Sequence, residues 1–315
     1  MIATTPKITP TRRLLALKAL PGFAELPPEE LLSLGHHATV ERHAAGDVLH
    51  RAGTGAESIV VLVEGALHSS QGMQQTPIRG LALAMGWEAL THEAVSYSLT
   101  CVEPSTLMKV PVDDVETLVV DRFDLYRAIV RELARALSVI AKEIALRGGS
   151  THGDHIVPSR RERDLSLASI LSYLAATPEL SALPLDVLAA LASEVEIVTV
   201  PAGEVLWAVG ERHDSAVLPL DAGWHGSVEQ QRFELPAGQL FGLEDALSGD
   251  PRWYELNAPE HAIGRCVMVP KQRLFDELED DEDAARALLR SLAKRYVRLS
   301  GYKRLITADE NAGIR

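Results

Sequence analysis

The sequence repeats itself, and that constrains its fold more than anything else in it. Leu26-Pro27 returns as Leu183-Pro184, Ala45-Gly46-Asp47-Val48-Leu49 returns as Ala202-Gly203-Glu204-Val205-Leu206, and Gly53 returns as Gly210. These pairs hold an offset of about 157 residues, and Gly86 and Gly242 hold it to within about one. Register kept across so many markers indicates an internal duplication, so both halves must adopt one fold. The 315 residues then form two domains of ordinary size, each with its own core. The expected boundaries are a flexible tail at 1–11, a first domain at 12–147 with a long C-terminal helix, a linker at 148–164, a second domain at 165–300 with its own C-terminal helix, and a tail at 301–315.

Within each repeat, short apolar runs are cut by glycines. Ser58 to Val63 is almost wholly β-branched or aliphatic and ends at Glu64-Gly65. Val40–His43, Val195–Val200, Val205–Val209 and Arg265–Val269 read as further strands. Ala216–Leu220 is another, and Pro219 pushes it toward a sheet edge or a bulge. Strands at such spacing predict a β-sandwich or jelly roll. The fold class is therefore α+β, mainly β, with two β-barrel or jelly-roll (double-stranded β-helix) domains, each flanked by helices.

The flanking helices show the other period. Leu14, Leu15, Leu17 and Leu20 recur at helical spacing before Pro21-Gly22, and Pro27-Pro28-Glu29-Glu30 opens a second helix. From Val112 onward a longer run begins, in which Tyr126, Val130, Leu133, Leu137, Ile140 and Ile144 alternate steps of four and three up to Arg147-Gly148-Gly149. Such a seam faces its own core, the second domain, or a second subunit, so the helix at 115–147 is the expected contact for a protein partner or a homo-oligomer. Asp281-Glu282-Asp283 opens the last helix, with Ala287, Leu288, Leu292, Tyr296 and Leu299 on one face, and Gly301 is predicted to close it.

Several function classes are disfavoured. A net charge of −13 argues against nucleic acid or an anionic membrane as partner. Cys101 and Cys266 have no metal-ligand spacing, the histidines are irregularly placed, and no metal site is expected. No nucleophile elbow, Walker loop or dinucleotide fingerprint is present, so no catalytic residues are expected. Met1 to Pro10 is polar, no apolar run reaches membrane-spanning length, and the expected location is the cytoplasm.

The most informative chemistry lies at Phe241-Gly242-Leu243-Glu244-Asp245-Ala246-Leu247-Ser248-Gly249-Asp250-Pro251-Arg252. It reads as a strand end, a glycine turn, one helical turn, a loop and a positioned arginine, which together make a small anion cradle. Its earlier copy starts at Met85-Gly86-Trp87-Glu88-Ala89-Leu90 and at the same length carries Ser96-Tyr97 in place of the arginine and its neighbour. This spacing, with the paired Ala-Gly-Asp/Glu-Val-Leu turns, resembles the phosphate-binding cassette of cyclic-nucleotide-binding domains, the superfamily of the catabolite activator and the kinase regulatory subunits. The resemblance covers roughly residues 14–147 and 165–300.

By that resemblance, Arg252 would pair with the cyclic phosphate of cAMP or cGMP. Gly242 would be the turn glycine, and the backbone N–H groups following it, in the Glu244-Asp245-Ala246 turn, would hold the same phosphate. Tyr296 on the terminal helix is the lid candidate. Leu243 stands where the family places its ribose-binding glutamate, with Glu244 one place late. Trp253 and Tyr254 replace small residues and would either fill the nucleotide site or stack on a base. In the first repeat Gly86, Trp87, Glu88, Ser96 and Tyr97 form a degenerate cassette without a cation, where no nucleotide is expected. Two readings follow: a non-catalytic regulatory or adaptor protein sensing a cyclic nucleotide through its second domain only, or a protein-interaction scaffold in which both pockets are vestigial.

Overall fold

The computed structural model describes residues 9–18, 23, 26–72, 74–149 and 166–313, with residues 303–313 described by backbone only. The chain divides into two compact units, Met1–Ile129 and Val130–Arg315. The linker expected at 148–164 lies outside the described residues apart from Gly148 and Gly149, as does the Leu20-Pro21-Gly22 stop.

In the first unit, α1 (Pro10–Lys18) and α2 (Pro28–His37) precede the strands. Pro28 presets the first turn of α2, and Glu29 and Glu30 lie at its positive end. Eight strands follow: β1 (Thr39–His43), β2 (Val48–His50), β3 (Ser58–Glu64), β4 (Ala66–Gln71), β5 (Gln74–Arg79), β6 (Ala82–Met85), β7 (Ser98–Cys101) and β8 (Ser105–Pro111). They pair antiparallel in two sheets, β1-β8-β3-β6 and β2-β7-β4-β5, which is the jelly-roll strand order. A 3-10 turn, Ala89–Thr91, lies between β6 and β7. After β8 come α3 (Val112–Asp121) and α4 (Phe123–Leu146).

The second unit repeats the plan. α5 (Leu167–Ala176) and α6 (Leu185–Glu194) lead into β9 (Glu196–Val200), β10 (Val205–Trp207), β11 (Ser215–Pro219), β12 (Trp224–Val228) and β13 (Gln231–Leu235). The short helix α7 (Leu243–Ser248) precedes β14 (Glu255–Asn257) and β15 (Gly264–Pro270), and α8 (Lys271–Asp280) and α9 (Glu282–Gly313) close the unit. The sheets are β10-β14-β12-β13 and β11-β15-β9, the order of the first unit with its sixth strand reduced to one bridge between Val217 and Phe241. β11 lies at the end of its sheet and finishes at Pro219, the edge position that the proline predicts.

The duplication extends to individual hydrogen bonds. Gly46 N–H donates to the Cys101 carbonyl at 2.8 Å, and Gly203 N–H donates to the Pro259 carbonyl at 2.9 Å. Both glycines carry a left-handed φ, +90° and +72°, which is why the Ala-Gly turn recurs. Further along, Gly53 N–H donates to the Val95 carbonyl and Gly210 N–H to the Arg252 carbonyl, both at 2.8 Å.

Two helical expectations are corrected. The helix expected at 115–147 is two helices, because Arg122, at φ −133° and ψ 86°, leaves the helical region between α3 and α4. Its six seam residues, Tyr126 through Ile144, are all buried within the single chain, Ile140 the most exposed at 8%. From Val130 onward the helix belongs to the second unit, where Ala145 and Leu146 pack with Trp207, Trp224, Phe241 and Tyr254. The seam is therefore used on the chain's own core rather than offered to a second subunit. Gly301 does not close α9, which continues to Gly313. A glycine ends a helix when it takes a left-handed φ, and Gly301 does not. It only weakens the helix, by about 1 kcal/mol relative to alanine.

Candidate functional site

The cassette of the second unit is built around α7. Gly242 caps the N-terminus of α7 at φ +68° and Gly249 caps its C-terminus at φ +73°. All six residues of α7, including Ala246, are buried, so this turn is a packed internal piece rather than an exposed cradle. A Cβ at Gly242 would stand 2.2 Å from Nη1 of Arg252, so the glycine is required by a close approach as well as by its φ.

Arg252 is the residue on which the anion reading turns, and it is 1% exposed. Its Nη1 donates to the Gly242 carbonyl at 2.5 Å and to Oδ2 of Asp245 at 3.3 Å. Its Nη2 donates to the carbonyls of Ser215, at 2.5 Å, and His213, at 3.4 Å. The guanidinium also lies 4.3 Å from the ring centroid of Trp207, a cation–π contact. The two ends of the fork are thus occupied by the chain's own oxygens, one of them a carboxylate.

Asp245 is the chain's own anion at that position. It is 2% exposed and also accepts a 2.5 Å hydrogen bond from Oγ of Ser138 on α4. Burial pushes its carboxyl above the ordinary aspartate value, against the opposing pull of Arg252 and Ser138. Glu244 turns the other way and meets Nη2 of Arg295 on α9 at 2.5 Å. Burial raises its carboxyl too, with Arg295 opposing. Arg295 also pairs with Glu179, and burial would lower its pKa, yet these two carboxylates hold it above the ordinary arginine value.

Trp253 and Tyr254 fill space. Trp253 stacks on Phe233 at 5.8 Å and 26°, and buried Tyr254 sits edge-on to Trp207 at 5.6 Å. Phe233, Trp253, Tyr254, Phe241, Glu244, Asp245 and Arg295 line a cavity with Ser138 and Ala141 of α4, and its volume is about 20 Å³. That is room for about one water. The residue α9 contributes to the cavity wall is Arg295, while its neighbour Tyr296, the expected lid, is half-buried and not among the lining residues.

Sequence reasoning missed Ser138, Glu179 and Arg295. For Arg295 a signal was present: it falls on the stripe Leu288, Leu292, Arg295, Leu299, at steps of four, three and four. A charge in a core register calls for a buried partner. Ser138 carried no comparable mark.

In the first unit the register differs from expectation. Val95 N–H bonds to the Thr54 carbonyl, as Arg252 N–H bonds to the Glu211 carbonyl, so the residue equivalent to Arg252 is buried Val95 and not Ser96. Counting a fixed length from Gly86 fails because this cassette is one residue shorter, and Gly86 also lacks the positive φ of Gly242. Gly86 N–H bonds to Glu88, Trp87 is half-buried, exposed Ser96 accepts from Gln71, and Tyr97 packs 6.5 Å from His50. A valine at the arginine position keeps this cassette without its cation.

No protein-family model and no curated protein matches the sequence. Among solved structures, the chain is similar to the regulatory domain of Toxoplasma gondii PKA in complex with cAMP, at 15% identity, covering 88% of this chain and 96% of that one with a TM-score of 0.33. It is similar to the regulatory subunit of a cAMP-independent protein kinase A from Trypanosoma brucei, at 13% identity, 88% of each chain and a TM-score of 0.32. One unit's length is matched by the N-terminal domain of a transcriptional regulator from Streptomyces coelicolor, at 19% identity, 41% of this chain, 94% of that one and a TM-score of 0.37. Strand order and repeated hydrogen bonds within the chain identify its architecture as two jelly rolls in tandem, each flanked by helices.

Proposed function

We propose that this chain is a non-catalytic regulatory or adaptor protein whose two cyclic-nucleotide-binding-like barrels act as protein-interaction modules with vestigial pockets. The observation that carries this reading is the closure of Arg252 on Asp245 and on the carbonyls of Gly242, Ser215 and His213, with the guanidinium buried. A phosphate entering here would have to displace a buried carboxylate from its cation and push α4 from the cavity wall. The resemblance to nucleotide-binding cassettes is then a likeness of fold that persists without the chemistry.

A thermal-shift series with 1 mM cAMP or cGMP on the intact chain tests the reading. A nucleotide bound with a Kd near 10 μM would add about 2.7 kcal/mol, or several degrees in Tm. The reading predicts no shift with either nucleotide. A shift of several degrees that vanishes in Arg252→Met would restore sensing by the second barrel.

A further inference from the structure

The two barrels differ inside and match outside. At inward positions on β4 and β12 the repeats diverge, with Leu67 against Trp224 and Gln71 against Val228. Alternate residues of a strand point to opposite faces, so His68 and Ser70 on β4, and His225 and Ser227 on β12, face outward at the same repeat positions. Val48 and Val205 also correspond and are 45% and 48% exposed. Strand pairing sets these residues in one row across each sheet, Val48–Thr100–His68 on the first barrel and Val205–Asn257–His225 on the second.

The two rows differ in burial. His68 is half-buried, whereas His225 is 8% exposed and its Nδ1 finds no hydrogen-bond partner among the described residues. The difference lies in the loop after β14. Three residues, 102–104, separate β7 from β8, against six, 258–263, between β14 and β15. Pro259 of the longer loop is buried beside Gly223, where a Cβ would stand 3.2 Å from its own Cβ. Glu260 then reaches β13 and accepts from Nη1 of Arg232 at 2.5 Å. Arg232 lies opposite Ser227, the next outward residue after His225, so the loop crosses the row. Arg232 above all, with His261 and His225 adding, holds the Glu260 carboxyl below the ordinary glutamate value. On the first barrel Gln75 stands opposite Ser70, and exposed Glu103 makes no ion pair among the described residues.

We propose that the β14–β15 loop is a strap that closes, on the second barrel, the histidine row that stands open on the first, with Arg232–Glu260 as its latch. The latch suits a strap that opens. Its two side chains are 55% and 50% exposed, and a pair so exposed shifts an equilibrium by only about fivefold at most. The inference goes beyond the scaffold reading, because it makes two copies of one face unequal, and it stands whether or not a nucleotide binds.

Histidine modification by diethyl pyrocarbonate at constant pH, read site by site on the intact chain by mass spectrometry, tests the strap. In the wild type His68 should react several-fold faster than His225. Glu260→Gln should speed modification of His225 about two- to fivefold and leave His68 unchanged. Arg232→Glu, which sets two carboxylates against each other, should speed it further, and the charge-swapped pair Arg232→Glu with Glu260→Arg should return it to the wild-type rate. Screening by 1 M NaCl should act as Glu260→Gln does. Equal rates at the two histidines in the wild type would overturn the strap. So would a His225 rate unmoved by either single variant, a charge-swapped pair as fast as Arg232→Glu, or a rise by the same factor at His68 and His225.

Discussion

Replacing Arg252 with methionine tests whether the second barrel is closed on its own charge. The substitution roughly keeps the volume but removes the cation from a position only 1% exposed. Asp245 is then left as a carboxylate in a dry interior, and the Ser215 and His213 carbonyls lose the donor Nη2 supplies. Breaking a buried ion pair on one side costs about 3–5 kcal/mol. The cation–π contact with Trp207 adds about 0.5–2 kcal/mol. A loss of about 3.5–7 kcal/mol is a large part of the roughly 5–15 kcal/mol that holds a domain together. Urea unfolding followed by tryptophan fluorescence suits the measurement, since Trp207, Trp224 and Trp253 lie in the second unit and only Trp87 in the first. The informative comparison is Arg252→Met with Asp245→Leu: removing both charges strands neither, so the double variant should be more stable than Arg252→Met alone. A single-variant loss below about 1 kcal/mol, or strictly additive losses, would refute the reasoning.

Other outcomes follow from the same geometry. Gly242→Ala should cost about 2–4 kcal/mol by urea unfolding, since the residue sits at φ +68° and its new methyl would meet Arg252. Arg295→Met should cost about 3–5 kcal/mol, because it leaves both Glu244 and Glu179 buried without their cation. Cys266 is fully buried with its thiol pushed up to about 12, and Cys101 is 2% exposed, so neither should react with a thiol reagent at pH 8 until urea unfolds the chain. Burial raises the Glu244 carboxyl above its unfolded value, so the folded state holds that proton more tightly and stability from this group falls as pH rises through the raised value. The stability of the wild type minus that of Glu244→Gln should therefore increase as pH is lowered from neutrality toward the ordinary glutamate range.

The fold was legible because its markers are backbone requirements. Gly46 and Gly203 occupy left-handed turns that few other residues tolerate, and each donates to a carbonyl within one residue of the equivalent place in its barrel, so their spacing reports the duplication directly. Pro219 announced an edge strand for an equally local reason, the missing N–H. The candidate site was only half legible. The cassette spacing located Gly242 and Arg252, but an arginine that binds a phosphate and one that binds its own Asp245 look identical in sequence. What separates them is burial and the docking of α4, which depend on contacts more than a hundred residues apart. Ser96 was matched by counting from Gly86, and counting cannot see that the first cassette is one residue shorter. Gly301 shows the limit from the other side, since a glycine stops a helix only in a backbone state that composition does not reveal.

Titration calorimetry of the intact chain with cAMP and with cGMP, up to millimolar nucleotide, reads most directly whether the second barrel holds a ligand or is closed on itself. Arg252 committed to Asp245 and a cavity of about 20 Å³ predict no saturable heat with either nucleotide. One nucleotide bound per chain, with affinity lost in Arg252→Met, would contradict the account.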